Sequence, residues 1–257
     1  MRSFFIGLQF LTRLHFVSQT EWSEKDFGSS VKFFPLIGAV LGLIYACAAY
    51  IIYDISTRFG LIVPAHFGAA ALIAIAFWMT GGIHCDGFMD TLDGLLSGRS
   101  RERMLEIMKD SCSGSMGVAG FVCIVLIMWS AIVDMPGVYI IPAVYASPII
   151  GRLMMTVAVS CFKYARPNGI GLAFAKYADR KKLILAVITT LILLIPAGMG
   201  AYVALIVTSV IAFRFLDYAT KMLGGVTGDI YGAVTVISET VVLIIYLFFS
   251  AYRIPLT

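Results

Sequence analysis

The sequence is poor in charge. Asp, Glu, Lys and Arg make up 13% of its 257 residues, while 60% are hydrophobic; a soluble domain carries roughly 25% charged residues. A soluble fold of this length cannot bury so much apolar surface, because its surface stays too large relative to its volume. The bilayer is the solvent that accommodates such a chain. Paired cysteine spacing is also lacking. The five Cys are an odd set without a disulfide pattern, and Cys47, Cys123 and Cys161 lie in or at the end of apolar runs as small hydrophobes. A secretory leader is not expected either. Arg2 precedes the apolar stretch 4–11, but Arg13 and His15 follow with no small-residue cleavage site. That segment reads as a short amphipathic piece that is kept. No internal repeat and no appended soluble domain are visible, so residues 1–257 are expected to form one membrane-embedded domain.

What is present is a series of apolar runs. A transmembrane helix needs about 20 mainly apolar residues. Runs 33–53, 61–80, 114–133, 138–161 and 229–251 qualify. The stretch 183–215 is too long for one span, and Pro196, Gly198 and Gly200 punctuate its middle, dividing it into 183–197 and 200–215. The expected fold is therefore an all-α polytopic helical bundle of about seven transmembrane helices. Sixteen of the nineteen Lys and Arg residues fall on one side of this layout; Arg58 and Arg253 lie on the other, and Arg152 lies within a span. The positive-inside rule then places the N-terminus in the cytoplasm and, with seven spans, the C-terminus outside.

The charged chemistry is concentrated in residues 81–120. Asp86, Asp90 and Asp93 are spaced i, i+4, i+7 and share one face of a helix. Three carboxylates in apolar surroundings repel one another unless a cation sits among them. Oxygen ligands without a matched His/Cys set favour Mg²⁺ or Mn²⁺ over zinc. His84 stands beside the first Asp as a candidate base or hydrogen-bond donor. Arg99 follows, and then 101–108 reads as an amphipathic helix on the membrane surface, with Arg101 and Arg103 toward lipid headgroups. Lys109 and Asp110 precede Gly114, Gly117 and Gly120. Those glycines either open backbone N–H groups to a phosphate or permit close helix packing, and spacing alone leaves both readings open.

Two further polar islands belong to the same side. One is the turn-rich 164–171 with Arg166; the other is the Gly-rich 224–229 ending in Asp229. Arg152 and Glu239 are ionisable groups inside spans and so are candidates for a functional role, with mutual or acid pairing as the alternative.

In these blocks the sequence resembles the cobalamin synthase (adenosylcobinamide-GDP ribazoletransferase) family. The resemblance runs through FFPLIG from Phe33, GGIHCDGFMDTLDGL from Gly81, MKDS followed by spaced glycines from Met108, YARPNGIG from Tyr164 and GGVTGDIYGA from Gly224. The central motif is long and specific. The family carries Leu or a similar residue at Cys85, which leaves that thiol without an implied role. The resemblance implies a phosphotransferase of the bacterial cytoplasmic membrane that uses Mg²⁺. Its substrates would be adenosylcobinamide-GDP and α-ribazole or α-ribazole 5′-phosphate, and its leaving group GMP. Asp86, Asp90, Asp93 and Asp229 would hold metal, and Lys109, Asp110, Arg99, Arg152 and Arg166 would bind phosphate. No nucleic-acid partner is expected, and a homo-oligomer is left open. The run DTLDG at 90–94 also resembles the start of the CDP-alcohol phosphotransferase motif, which makes a lipid-alcohol transferase the alternative. A transporter is the distant one, disfavoured by acids clustered at one face and by the missing repeat.

Overall fold

A computed structural model describes residues 2–17 and 23–256. Among them the chain forms thirteen α-helices: α1 Arg2–Leu11, α2 Glu24–Ser30, α3 Phe34–Tyr50, α4 Ser56–Arg58, α5 Ala65–Thr80, α6 Ile83–Leu95, α7 Arg101–Ile107, α8 Ser115–Val133, α9 Gly137–Cys161, α10 Ile170–Tyr177, α11 Arg180–Leu193, α12 Met199–Leu223 and α13 Gly228–Ala251. Strands are absent from the described residues, apart from one isolated bridge between Tyr164 and Val226. The chain is thus an all-α, multi-pass membrane-type bundle.

Local chemistry sets many of the helix ends. Ser23, Ser100, Asp179 and Thr227 each accept a backbone N–H from the first turn of the helix they precede. Gly81 and Gly224 end α5 and α12 in the left-handed region.

The most buried helix is α9, which is enclosed by α3, α13, α11 and α12. Its contact with α3 is backbone-close. A Cβ on Gly38 would overlap the Pro148 carbonyl, and one on Gly42 the Tyr145 carbonyl. Small residues at i and i+4 are how helices approach closely in lipid, where packing rather than hydrophobicity drives association.

The count of spans differs from the sequence expectation of seven. By length and composition five helical stretches can cross a membrane: 24–58, α8, α9, α12 and α13. A sixth arises if α5 and α6 are taken together, although they are bent by 92°. At 14 residues, α11 reaches only about 21 Å, short of the roughly 30 Å hydrocarbon core. The division of 183–215 nevertheless holds. The break falls at Ile195–Ala197 and Gly198, where φ is +74, and α12 continues on to Leu223. The Tyr202 hydroxyl donates to Leu191 O at 2.9 Å across the turn. The C-terminal segment meets this turn: Met199 N–H donates to Leu256 O at 2.6 Å. Loops 81–82, 162–169 and 224–227 gather at the opposite end.

The amphipathic reading of α1 also holds, since Ile6, Leu8 and Leu11 are buried against the bundle. The surface-anchor reading of α7 does not. Met104 and Met108 are buried against the bundle, and Arg101 Nε donates to Leu223 O at 2.7 Å. Arg101 therefore caps the C-terminus of α12, where cations complement the helix dipole. Arg103 pairs with Glu106 on the exposed side.

Candidate active site

Helix α6 carries the acidic motif, and two glycines aim it. Gly81 and Gly82 have φ of +64 and +76, a region that side chains other than Gly rarely adopt. They turn the chain away from the axis of α5, so that α6 leaves it at 92°. It then crosses α13 with almost no separation. A Cβ on Gly87 would lie 2.8 Å from the Asp229 carbonyl, and one on Gly232 would lie 3.0 Å from the His84 carbonyl. This crossing brings Asp229 to the same cleft as Asp86.

The two remaining polar islands are fastened together. Ala165 N–H donates to Val226 O and Val226 N–H to Lys163 O, both at 2.8 Å. A side chain on Gly225 would overlap Lys163 O, which explains the glycine. The pairing sets Arg166 Nη2 at 2.7 Å from Asp229 Oδ2. The Thr227 hydroxyl donates to the same oxygen at 3.1 Å. Arg166 also donates to Met108 O at 3.4 Å, which ties this loop to the segment before α8.

Together these elements enclose a cleft of about 310 Å³. Its polar lining includes Asp86, Asp229, Lys109, Arg166 and Asn168; Phe10, Leu11, Met155 and Phe174 supply an apolar wall. His84, Tyr164 and Tyr231 complete it. Asp90, on the same helix as Asp86, is not part of this lining; burial, reinforced by Asp86, Asp229 and Asp93, pushes its carboxyl up to about 7. The His84 imidazole is held well below its usual range by burial and then by Arg152, so it is neutral at pH 7. Its Nε2 has no hydrogen-bond partner among the described residues.

Several expected site residues lie elsewhere. Asp93 turns to α8: its two oxygens accept Gly114 N–H at 2.7 Å and Gly117 N–H at 2.8 Å. The glycine run does receive an anion at a helix N-terminus, but that anion is Asp93 and not a phosphate. The glycines also serve packing, since side chains at 114, 117 and 120 would overlap Asp93 or Leu92. Arg152 is fully buried within α9 and paired with Glu239. It does not line the cleft, and the alternative of mutual pairing is the one found. Arg99 is exposed and outside the cleft. Asp110 accepts the Cys112 N–H at 3.0 Å and borders a separate shallow hollow with Asp93 and Arg103.

A metal fits here only in a particular way. Among the described residues no group of three His, Cys, Asp or Glu could by itself hold an ion. Asp93 is engaged with α8 and Asp229 with Arg166, which among the described residues leaves unengaged oxygens on Asp86, in the cleft, and on Asp90, outside its lining. Mg²⁺ is commonly bound by one or two carboxylates together with substrate phosphates and water, rather than by an all-protein cage. The donor set suits that mode.

Some of the lining was not singled out from sequence. Asn168 and Tyr231 lie inside motif blocks but carry no charge to mark them. Phe10, Leu11 and Phe174 look like any apolar helix residue, and only tertiary packing brings them to the cleft.

The model of the cobalamin-5-phosphate synthase family matches residues 3–247. The adenosylcobinamide-GDP ribazoletransferase of Clostridium acetobutylicum is 31% identical over 244 residues, 93% of this chain and 93% of that protein. That of Acetivibrio thermocellus is 34% identical over 246 residues, covering 94% and 95%. That of Desulfitobacterium hafniense is 33% identical over 254 residues, covering 95% and 96%. No solved structure matches the chain significantly.

Proposed function

The chain belongs to the cobalamin-5-phosphate synthase family, and we propose on that basis that it is an adenosylcobinamide-GDP ribazoletransferase. A ribose hydroxyl of α-ribazole, or of its 5′-phosphate, attacks the phosphorus on the corrinoid side of the diphosphate. A new P–O bond forms to the ribose, the bond to the bridging oxygen breaks, and GMP departs with that oxygen. The hydroxyl proton passes to a base at the site. The product is adenosylcobalamin or its 5′-phosphate.

The observation that carries this reading is the convergence of three motif blocks on one cleft: Asp86 from α6, Arg166 from the loop after α9, and Asp229 at the start of α13. Phosphoryl transfer between such substrates is largely a matter of positioning and charge neutralisation. Arg166 and Lys109 are donors for diphosphate oxygens, Arg166 with the fixed fork that such anions favour. Asp86 and Asp90 would hold Mg²⁺, which when bound neutralises charge on the diphosphate and the departing phosphate. Asp229 restrains Arg166 until substrate competes for it. The cytoplasmic membrane, with this end of the bundle facing the cytoplasm, is the expected location.

The test is direct. Purified protein in detergent is incubated with Mg²⁺, adenosylcobinamide-GDP and α-ribazole, and release of GMP is followed together with cobalamin formation. Turnover with a CDP-activated lipid and none with the corrinoid would overturn the reading.

A further inference from the structure

Helix α7 contributes no residue to the cleft lining, yet its two ends reach the blocks that build the cleft. At its start, Arg101 Nε donates to Leu223 O at 2.7 Å. The guanidinium lies against Gly224, where a Cβ would sit 2.9 Å from the same nitrogen. Gly224 opens the turn that leads to Asp229. Just past the other end, Met108 O accepts Arg166 Nη2 at 3.4 Å, and the next residue, Lys109, lines the cleft. Between these ends α7 is pressed onto α6. A Cβ on Gly94 would overlap Met108 and lie 3.1 Å from Met104 O, and both methionines are buried. One short helix therefore runs from the turn before Asp229 to Arg166 and Lys109.

We infer that Arg101 is a positioning residue for the diphosphate donors. It ties α7 to the Gly224 turn, and through α7 it sets Lys109 and Arg166 against Asp229. The inference rests on the proposed reaction and adds to it a residue that touches neither substrate. The Arg101 side chain is 45% exposed and otherwise meets only Glu102, at 3.5 Å, among the described residues. A cation so exposed at a helix C-terminus stabilises a fold only slightly. Its geometric effect is larger, because misplacing groups at a reaction centre by about 1 Å can lower the rate on the order of a hundredfold. Without Arg101, Met104 and Met108 still hold α7 on α6, but the Gly224 turn is free to shift relative to Met108 O. Arg103 provides the contrast. It belongs to the same helix and is similarly exposed, but it pairs with Glu106 and reaches no motif block.

Steady-state kinetics and thermal melts in detergent test the idea on Arg101→Ala, Arg101→Lys, Arg103→Ala and Arg101→Ala combined with Arg166→Gln. Arg101→Ala should raise the KM for adenosylcobinamide-GDP about tenfold and leave that for α-ribazole within about twofold. Its melting temperature should stay within about 4 °C of wild type. Arg101→Lys should recover activity to within about threefold of wild type, because an ammonium can still donate to Leu223 O. Arg103→Ala should behave as wild type. In the Arg166→Gln background, Arg101→Ala should cost less than about twofold more, because its effect passes through the group already removed. Equal losses in both backgrounds overturn the inference, as does a parallel rise of both KM values, or an Arg103→Ala variant as impaired as Arg101→Ala. Wild-type kinetics in Arg101→Ala overturn it outright. A wild-type protein that releases no GMP overturns the parent reaction, a result distinct from these.

Discussion

The Asp229 carboxylate lies 2.7 Å from the Arg166 guanidinium, and this pair joins the first turn of α13 to the loop after α9. Both groups are largely buried, at 19% and 11% side-chain exposure, so the pair is more than a surface contact. Removing either partner leaves the other uncompensated in a cleft that must bind a diphosphate.

Asp229→Asn and Arg166→Gln should therefore each lower kcat/KM by tenfold or more, and the double variant should be no worse than the poorer single. Residues acting in one network are non-additive, and a double-mutant cycle measures the coupling. Thr227 caps α13 by accepting the Ile230 N–H, so loss of the Asp229 charge should leave the helix intact. If Asp229 also helps to hold Mg²⁺, the half-saturating concentration should rise about tenfold in Asp229→Asn. An unchanged half-saturation point would confine Asp229 to positioning Arg166.

Asp86 and Asp93 should behave differently despite sharing one motif. Asp86→Asn should abolish turnover while the metal-free protein stays as stable as before or becomes more so, because one repelling charge is gone. Asp93→Asn should instead destabilise the fold by about 1–3 kcal/mol, since one of the two N–H groups at Gly114 and Gly117 loses its acceptor. Thermal melts in detergent with EDTA read the difference. Equal melting temperatures for the two variants would remove Asp93 from its role in holding α8.

The Arg152–Glu239 pair should prove structural. Glu239→Gln leaves a fully buried guanidinium without a counter-charge, an arrangement that costs about 3–5 kcal/mol. Replacing both by Met and Leu should recover most of that loss, because packed apolar side chains substitute well for a buried ion pair. Turnover per folded molecule should be retained in the double variant. Its loss would return Arg152 to the substrate site.

Topology is open to reporter fusions. A reporter after Ser100 or Lys181 should read cytoplasmic, and one at the C-terminus should read the opposite side, because the segment before Leu256 packs against the turn between α11 and α12. A cytoplasmic C-terminus would mean that the short α11 does not complete a crossing.

Much of this was legible in local sequence. Apolar runs specify membrane helices because lipid leaves the backbone no other way to satisfy its hydrogen bonds. Pro196 and Gly198 marked the break between α11 and α12 for steric reasons that act within a few residues. The i, i+4, i+7 spacing set three aspartates on one helix face because helical pitch is a local property. Spacing could not say which group each of them would meet. Asp93 found two backbone amides on α8, Asp86 found a cleft that Asp229 shares, and Arg152 found Glu239 within the core. The 92° bend between α5 and α6 and the crossing at Gly87 and Gly232 decided those partners. The apolar wall was hidden more completely, for Phe10 and Phe174 belong to helices far apart in the chain and have the same composition as any buried face. Only packing distinguishes a side chain that fills the core from one that borders a cleft, because the hydrophobic effect that buries both has no direction of its own.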